Sequence, residues 1–166
     1  IGNVVGIANT GNKISKITRN NFLFDNAIPV SYGIGLVGSD SYEVQENHFE
    51  PMTVNGHSAN DRTIGILVHA SGEGHNKIYK NYFKNLQIGI QAQEINGGLH
   101  TGPDPTNTGL QFRCNEFTEN MYQSDIFVAS GRVDYNQGYQ TGNNGTFAAG
   151  NLFSHSSFTL QNDFAA

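Results

Sequence analysis

Within nineteen residues the chain carries His57, Asp61, Arg62, His69, Glu73 and His75, its densest gathering of acid, base and cation. An imidazole or carboxyl group can move a proton, and Arg62 can steady the anion that proton removal leaves. On a sugar polymer such a set would serve hydrolysis, epimerisation or elimination, the first of which normally needs two carboxyl groups about 5–9.5 Å apart. The plain alternative is that these are polar residues of two connecting loops, 50–63 and 70–76, flanking a strand at 64–69, where histidine beside glycine is ordinarily solvated.

Another set suits binding without chemistry. Tyr42, Tyr79, Tyr82 and Gln91 are expected on the surface and could contact sugars, and His100 stands in an insertion over 94–108 that interrupts the chain's rhythm. Long loops on a rigid frame are where binding residues tend to lie. The single cysteine, Cys114, reads as a tolerated surface residue, because nothing in the spacing brings a histidine to it. No Asp-x-Asp-x-Asp-Gly run occurs and the six histidines lack the spacing of a zinc helix, so neither a metal nor a cofactor is expected.

Composition narrows the partners. In 166 residues there are nine Lys and Arg, and the formal charge is −5. The basic residues are scattered, so no cationic stripe exists to neutralise nucleic-acid phosphates. Apolar runs are far shorter than the roughly 20 residues that cross a bilayer, and no membrane insertion is expected. Charged residues make up 14% of the chain, against about 25% in ordinary domains, while Gly reaches 20 and Asn 21. Turns must therefore be frequent.

What positions these side chains is a repeat. Ile17 to Phe22, Val44 to Phe49, Ile78 to Phe83 and Phe112 to Phe117 all read apolar, two variable, Asn, one variable, Phe. The asparagines Asn20, Asn47, Asn81 and Asn115 are 27, 34 and 34 residues apart, and a weaker copy centres on Asn136. Ahead of each unit lies a short alternating run: Ile34 and Leu36, then Ile64, Ile66 and Val68, then Ile88, Ile90 and Ala92, then Ile126 and Val128. Alternation of β-branched residues marks strands, and no helical period intervenes. The chain is read as a β-solenoid in which each coil adds one rung.

Asparagine, which tolerates the left-handed backbone region, is expected to adopt it at the sharp corner. Stacked asparagines would exchange amide hydrogen bonds, and Phe22, Phe49, Phe83 and Phe117 would form an inward stack. In the same register Glu43 falls between Lys16 and Lys77, and Glu46 between Arg19 and Lys80, so opposite charges alternate from rung to rung. On the first strands Gly33, Gly35, Val37, Gly65, Leu67, His69, Gln87, Gly89 and Gln91 are expected to face outward, a surface without a carboxylate pair.

The Asn-x-Phe bend after the second strand of each coil resembles the right-handed parallel β-helix of the pectate-lyase-like superfamily, over residues 4 to 138. Gly109 to Phe117, Asn136-Gln-Gly138 and Gly150 to Ser154 are further similar to β-helix regions of large bacterial secreted and cell-surface proteins of the type IX export route. The expected fold is all-β, one right-handed parallel β-helix segment of a longer protein over 1–166. Its coils are placed near 4–22, 33–49, 64–83, 88–117 and 125–138, with 139–166 an irregular end region. Enzymes that resemble this superfamily work in a groove along the first sheet, but their Asp-Asp and Asp-with-Arg signatures are missing here. The favoured expectation is a non-enzymatic structural or adhesive segment, secreted or at the cell surface. Its expected partners are a polysaccharide or another protein at an open end. A glycan-binding module and a polysaccharide lyase, epimerase or hydrolase fragment are the alternatives.

Overall fold

The structure is a computed structural model. It describes residues 4–25, 30–52, 63–98, 108–118, 123–134, 137, 139–141, 145–147, 149–154 and 162–165. The described chain is built of strands and turns. One six-stranded sheet holds β1 (Val4–Thr10), β4 (Ser31–Val37), β7 (Thr63–His69), β10 (Ile88–Gln93), β13 (Ser124–Val128) and β16 (Asn162–Ala165). The second sheet stacks β2 (Lys16–Thr18), β5 (Glu43–Gln45), β8 (His75–Tyr79) and β11 (Gly109–Arg113). The third stacks β3 (Asn21–Phe24), β6 (His48–Pro51), β9 (Tyr82–Lys84) and β12 (Glu116–Thr118). All three are parallel, and the chain visits first, second and third sheet in turn before climbing one rung. This is a parallel β-helix. An antiparallel hairpin, β14 (Tyr139–Thr141) with β15 (Gly145–Phe147), departs from the coil.

The core repeats like on like because strand period and rung register coincide. Ile34, Ile66, Ile90 and Ile126 are partners in the first sheet, and Val44, Ile78 and Phe112 in the second, all fully or almost fully buried. Burying each such side chain contributes about 1.5–3 kcal/mol. Along the third sheet Phe22, Phe49, Phe83 and Phe117 stack with centroids 4.7, 4.8 and 4.9 Å apart and rings within 10° of parallel.

The corner between the second and third sheets holds the asparagine file. The backbone N–H and the Nδ2 of Asn20, Asn47, Asn81 and Asn115 each donate to the Oδ1 of the next asparagine, at 2.9–3.1 Å. Nδ2 also reaches back one rung to a backbone carbonyl: Asn47 to Ile17, Asn81 to Val44 and Asn115 to Ile78. The file thus supplies, with side chains, the hydrogen bonds a backbone loses when it turns.

Three expectations are corrected. Asparagine does not itself take the left-handed conformation; the residue before it does, with Arg19, Glu46, Lys80 and Cys114 at φ of 58°, 55°, 53° and 52°. The strain of that residue, roughly 1–2 kcal/mol without glycine, is offset when the asparagine Nδ2 closes onto the carbonyl two residues back, at Thr18, Gln45 and Tyr79.

Second, Gly33, Gly65 and Gly89 do not face outward. A Cβ on any of them would lie 2.5–2.8 Å from the ring of Phe49, Phe83 or Phe117. Glycine and the isoleucine after it both face the interior, and the missing side chain leaves the ring its room.

Third, the file passes from Asn115 to Asn151, and Phe153 follows Phe117 at 6.0 Å. Residues 149–154 and β16 therefore belong to the coil and are not an irregular end. Asn136 lies outside the described residues. Its neighbour Gln137 is bonded to the fourth rung, its Oε1 accepting from the Phe112 N–H and its Nε2 donating to the Leu110 carbonyl.

Candidate functional site

With Ile17, Val44, Ile78 and Phe112 turned inward, strand alternation turns the residues on either side outward. One outer column of the second sheet is Lys16, Glu43, Lys77 and Gln111, and the next is Thr18, Gln45, Tyr79 and Arg113. The first column and Arg113 of the second line a groove of about 540 Å³ that crosses the rungs, with Ile14 and His75 on the side of the preceding turn. Three basic side chains, Lys16, Lys77 and Arg113, face it with one carboxylate, Glu43. Lys16 Nζ stands 3.1 Å from Glu43 Oε2, and among the described residues Lys77 forms no ion pair. Gln111 is tied down, its Nε2 donating to Asp134 Oδ2 at 2.8 Å.

The floor includes Tyr42. The expected exposed position is corrected: Tyr42 is 1% exposed. It follows the left-handed Ser41, which turns the chain into β5, and its N–H donates to Asn76 Oδ1. Burial pushes its hydroxyl well above the ordinary tyrosine range, and the Asp40 charge adds to this. Ser71 stands close enough to ease the shift, yet neither hydroxyl has a partner in hydrogen-bonding geometry among the described residues.

A ridge of charge bounds the groove at the corner. Arg19 Nε donates to Glu46 Oε2 at 2.7 Å, and Gln45 Nε2 to Glu46 Oε1 at 2.8 Å. These bonds hold the Glu46 carboxyl below its usual range, the Arg19 bond first, and hold Arg19 above its own. Lys80 Nζ sits 5.0 Å from the centroid of the Tyr79 ring.

Of the residues singled out for catalysis, His69, Glu73 and His75 are described, and the coil separates them. His69 ends β7 on the first sheet, between Val37 and Gln93, whereas His75 opens β8 on the second and the exposed Glu73 stands in the turn between them. Among the described residues no hydrogen bond or ion pair joins these three. His57, Asp61, Arg62 and His100 lie outside the described residues.

The binding candidates are likewise spread over three faces. Gln91 is on the first sheet between Leu67 and Phe127, Tyr79 is in the second between Gln45 and Arg113, and Tyr82 is in the third. The Tyr82 ring lies 4.5 Å from that of His48, and its hydroxyl accepts from Thr118 Oγ1 at 2.9 Å. Of these candidates Tyr42 alone lines the groove, from beneath, and Tyr79 stands in the adjoining column. Lys16, Glu43 and Lys77 were visible in the sequence as alternating charges four residues before each corner, whereas Arg113 stands two before its own. What the spacing hid was that the turns before β2, β5 and β8 wall that column into a concavity. Among the described residues no cluster of three or more His, Cys, Asp or Glu could hold a metal.

No family model, curated protein or solved structure matches this chain.

Proposed function

We propose that this chain is a stiff, non-enzymatic adhesive segment of a secreted bacterial cell-surface protein, of the pectate-lyase-like β-helix type carried by proteins of the type IX export route. The observation that supports this reading is the corner file from Asn20 to Asn151, which runs through every rung from the first to the fifth and ties each backbone turn to the next. A frame held at every rung keeps its outer columns in fixed spacing, as a surface that grips a long polymer requires. The Lys16 to Arg113 groove is the face this reading assigns to contact. That assignment favours the glycan-binding form of the adhesive role, with Tyr42 beneath the groove and Tyr79 in the column beside it.

The test is retention of polysaccharides by the immobilised chain, with the eluate examined for shortened or unsaturated products. Retention without products is expected. Product release that vanishes in His69→Ala or His75→Ala would replace the adhesive reading with the lyase, epimerase or hydrolase one.

A further inference from the structure

The outer column of the groove has a sign pattern along the rod: cation at Lys16, anion at Glu43, cation at Lys77, with the Arg113 guanidinium one rung further in the adjoining column. Rungs are about 4.8 Å apart, so Lys16 and Lys77 stand about 9.6 Å from each other with the Glu43 carboxylate between. A sugar unit in an extended polysaccharide advances by about one rung. A polymer lying along the groove therefore sets successive sugars over successive rungs.

We propose that the groove binds a linear polysaccharide in which acidic and neutral sugars alternate, an inference that rests on the adhesive reading above. Acidic groups, carboxylate or sulfate, meet Lys16 and Lys77, and the neutral sugar between them offers hydroxyl donors to Glu43. A polymer with an acid on every sugar would press one anion against Glu43, and like charges in contact repel. Lys77, with no ion pair of its own among the described residues, gives up no partner on binding. Arg113, one rung on, lines the groove with a guanidinium whose planar shape suits carboxylate or sulfate.

The experiment titrates the full chain with four probes at low salt: hyaluronan, with one carboxylate per disaccharide; a carrageenan with one sulfate per disaccharide; polygalacturonate, with a carboxylate on every sugar; and neutral dextran. Hyaluronan or the carrageenan is expected to bind, with the tighter of the two naming the acidic group, and polygalacturonate is expected to bind more weakly. Lys77→Ala is expected to weaken binding about tenfold, the scale of one hydrogen bond to a charged group. Glu43→Gln is expected to erase the preference against polygalacturonate. Polygalacturonate binding as tightly as the alternating polymers overturns the proposal, as does indifference to Lys77→Ala. Tight binding of dextran alone overturns it and leaves the adhesive reading standing. Retention of none of the probes, or equal retention of a DNA oligonucleotide, counts against both.

Discussion

Four residues separate Lys16 from Asn20, Glu43 from Asn47 and Lys77 from Asn81, yet the two columns obey opposite rules. At the corner the same residue recurs on every rung. In the groove the sign reverses from one rung to the next. A carboxamide has a donor end and an acceptor end, so a copy displaced by one rung meets it as a partner, and a flat ring likewise stacks on its copy. A charge displaced by one rung meets its copy as a repulsion. Translation by a rung therefore selects repetition for dipoles and rings and alternation for ions. It also makes the corner a structural element and leaves the groove open to a ligand.

The sharpest way to break this contrast is to delete a ring from the buried stack. Phe83→Ala removes a fully buried side chain lying between two others and is expected to cost about 3–5 kcal/mol in chemical denaturation. Asn81→Ala is expected to cost about 3 kcal/mol, because the buried Asn47 N–H and Val44 carbonyl both lose their side-chain partner. Gly65→Ala, whose Cβ would sit 2.7 Å from the Phe83 ring and 2.6 Å from the Gly89 carbonyl, is expected to cost about 1–3 kcal/mol. Gly35→Ala, whose nearest neighbour is Val5 at 3.4 Å, serves as its control and should change stability by no more than about 0.5 kcal/mol. In the groove, Glu43→Gln breaks a pair whose lysine is 61% exposed and should shift stability by only about 0–1 kcal/mol, so its effect is to be read in binding.

Tyr42 offers a test by pH. The folded chain holds the phenol proton where the unfolded chain releases it, so the folded state binds more protons above the ordinary tyrosine value of about 10. Stability is accordingly full below that pH and falls as pH rises beyond it. Tyr42→Phe should leave melting near neutrality almost unchanged and delay the alkaline loss, measured by melting temperature between neutral and strongly alkaline buffer.

Much of this architecture was legible because the recurring residues are uncommon ones at near-constant spacing. Asn20, Asn47, Asn81 and Asn115 with their phenylalanines identify the corner without coordinates. Asn151 and Phe153 echo the same motif in the sequence, but they stand beyond the β14–β15 hairpin, 36 residues after Asn115, and the coils were counted only as far as 138. Gly33, Gly65 and Gly89 were placed outside because simple alternation does not allow two consecutive inward residues, whereas a residue without a side chain can face the Phe ring beside an inward isoleucine. The shift of the left-handed residue from asparagine to its predecessor was hidden because Arg19, Glu46, Lys80 and Cys114 share no chemistry that marks such a position.

Rung periodicity, the inward aliphatic and aromatic columns and the alternation of charge follow from the order of residues alone, since each is a local pattern that stacking repeats. Whether outward residues form a groove or a flat wall depends on how the turns before β2, β5 and β8 stand beside the sheet, and that is a contact between segments 27 to 34 residues apart. Tyr42 shows the same division. Its hydroxyl is polar by composition, and only the packing of neighbouring coils buried it and placed it beneath the charges.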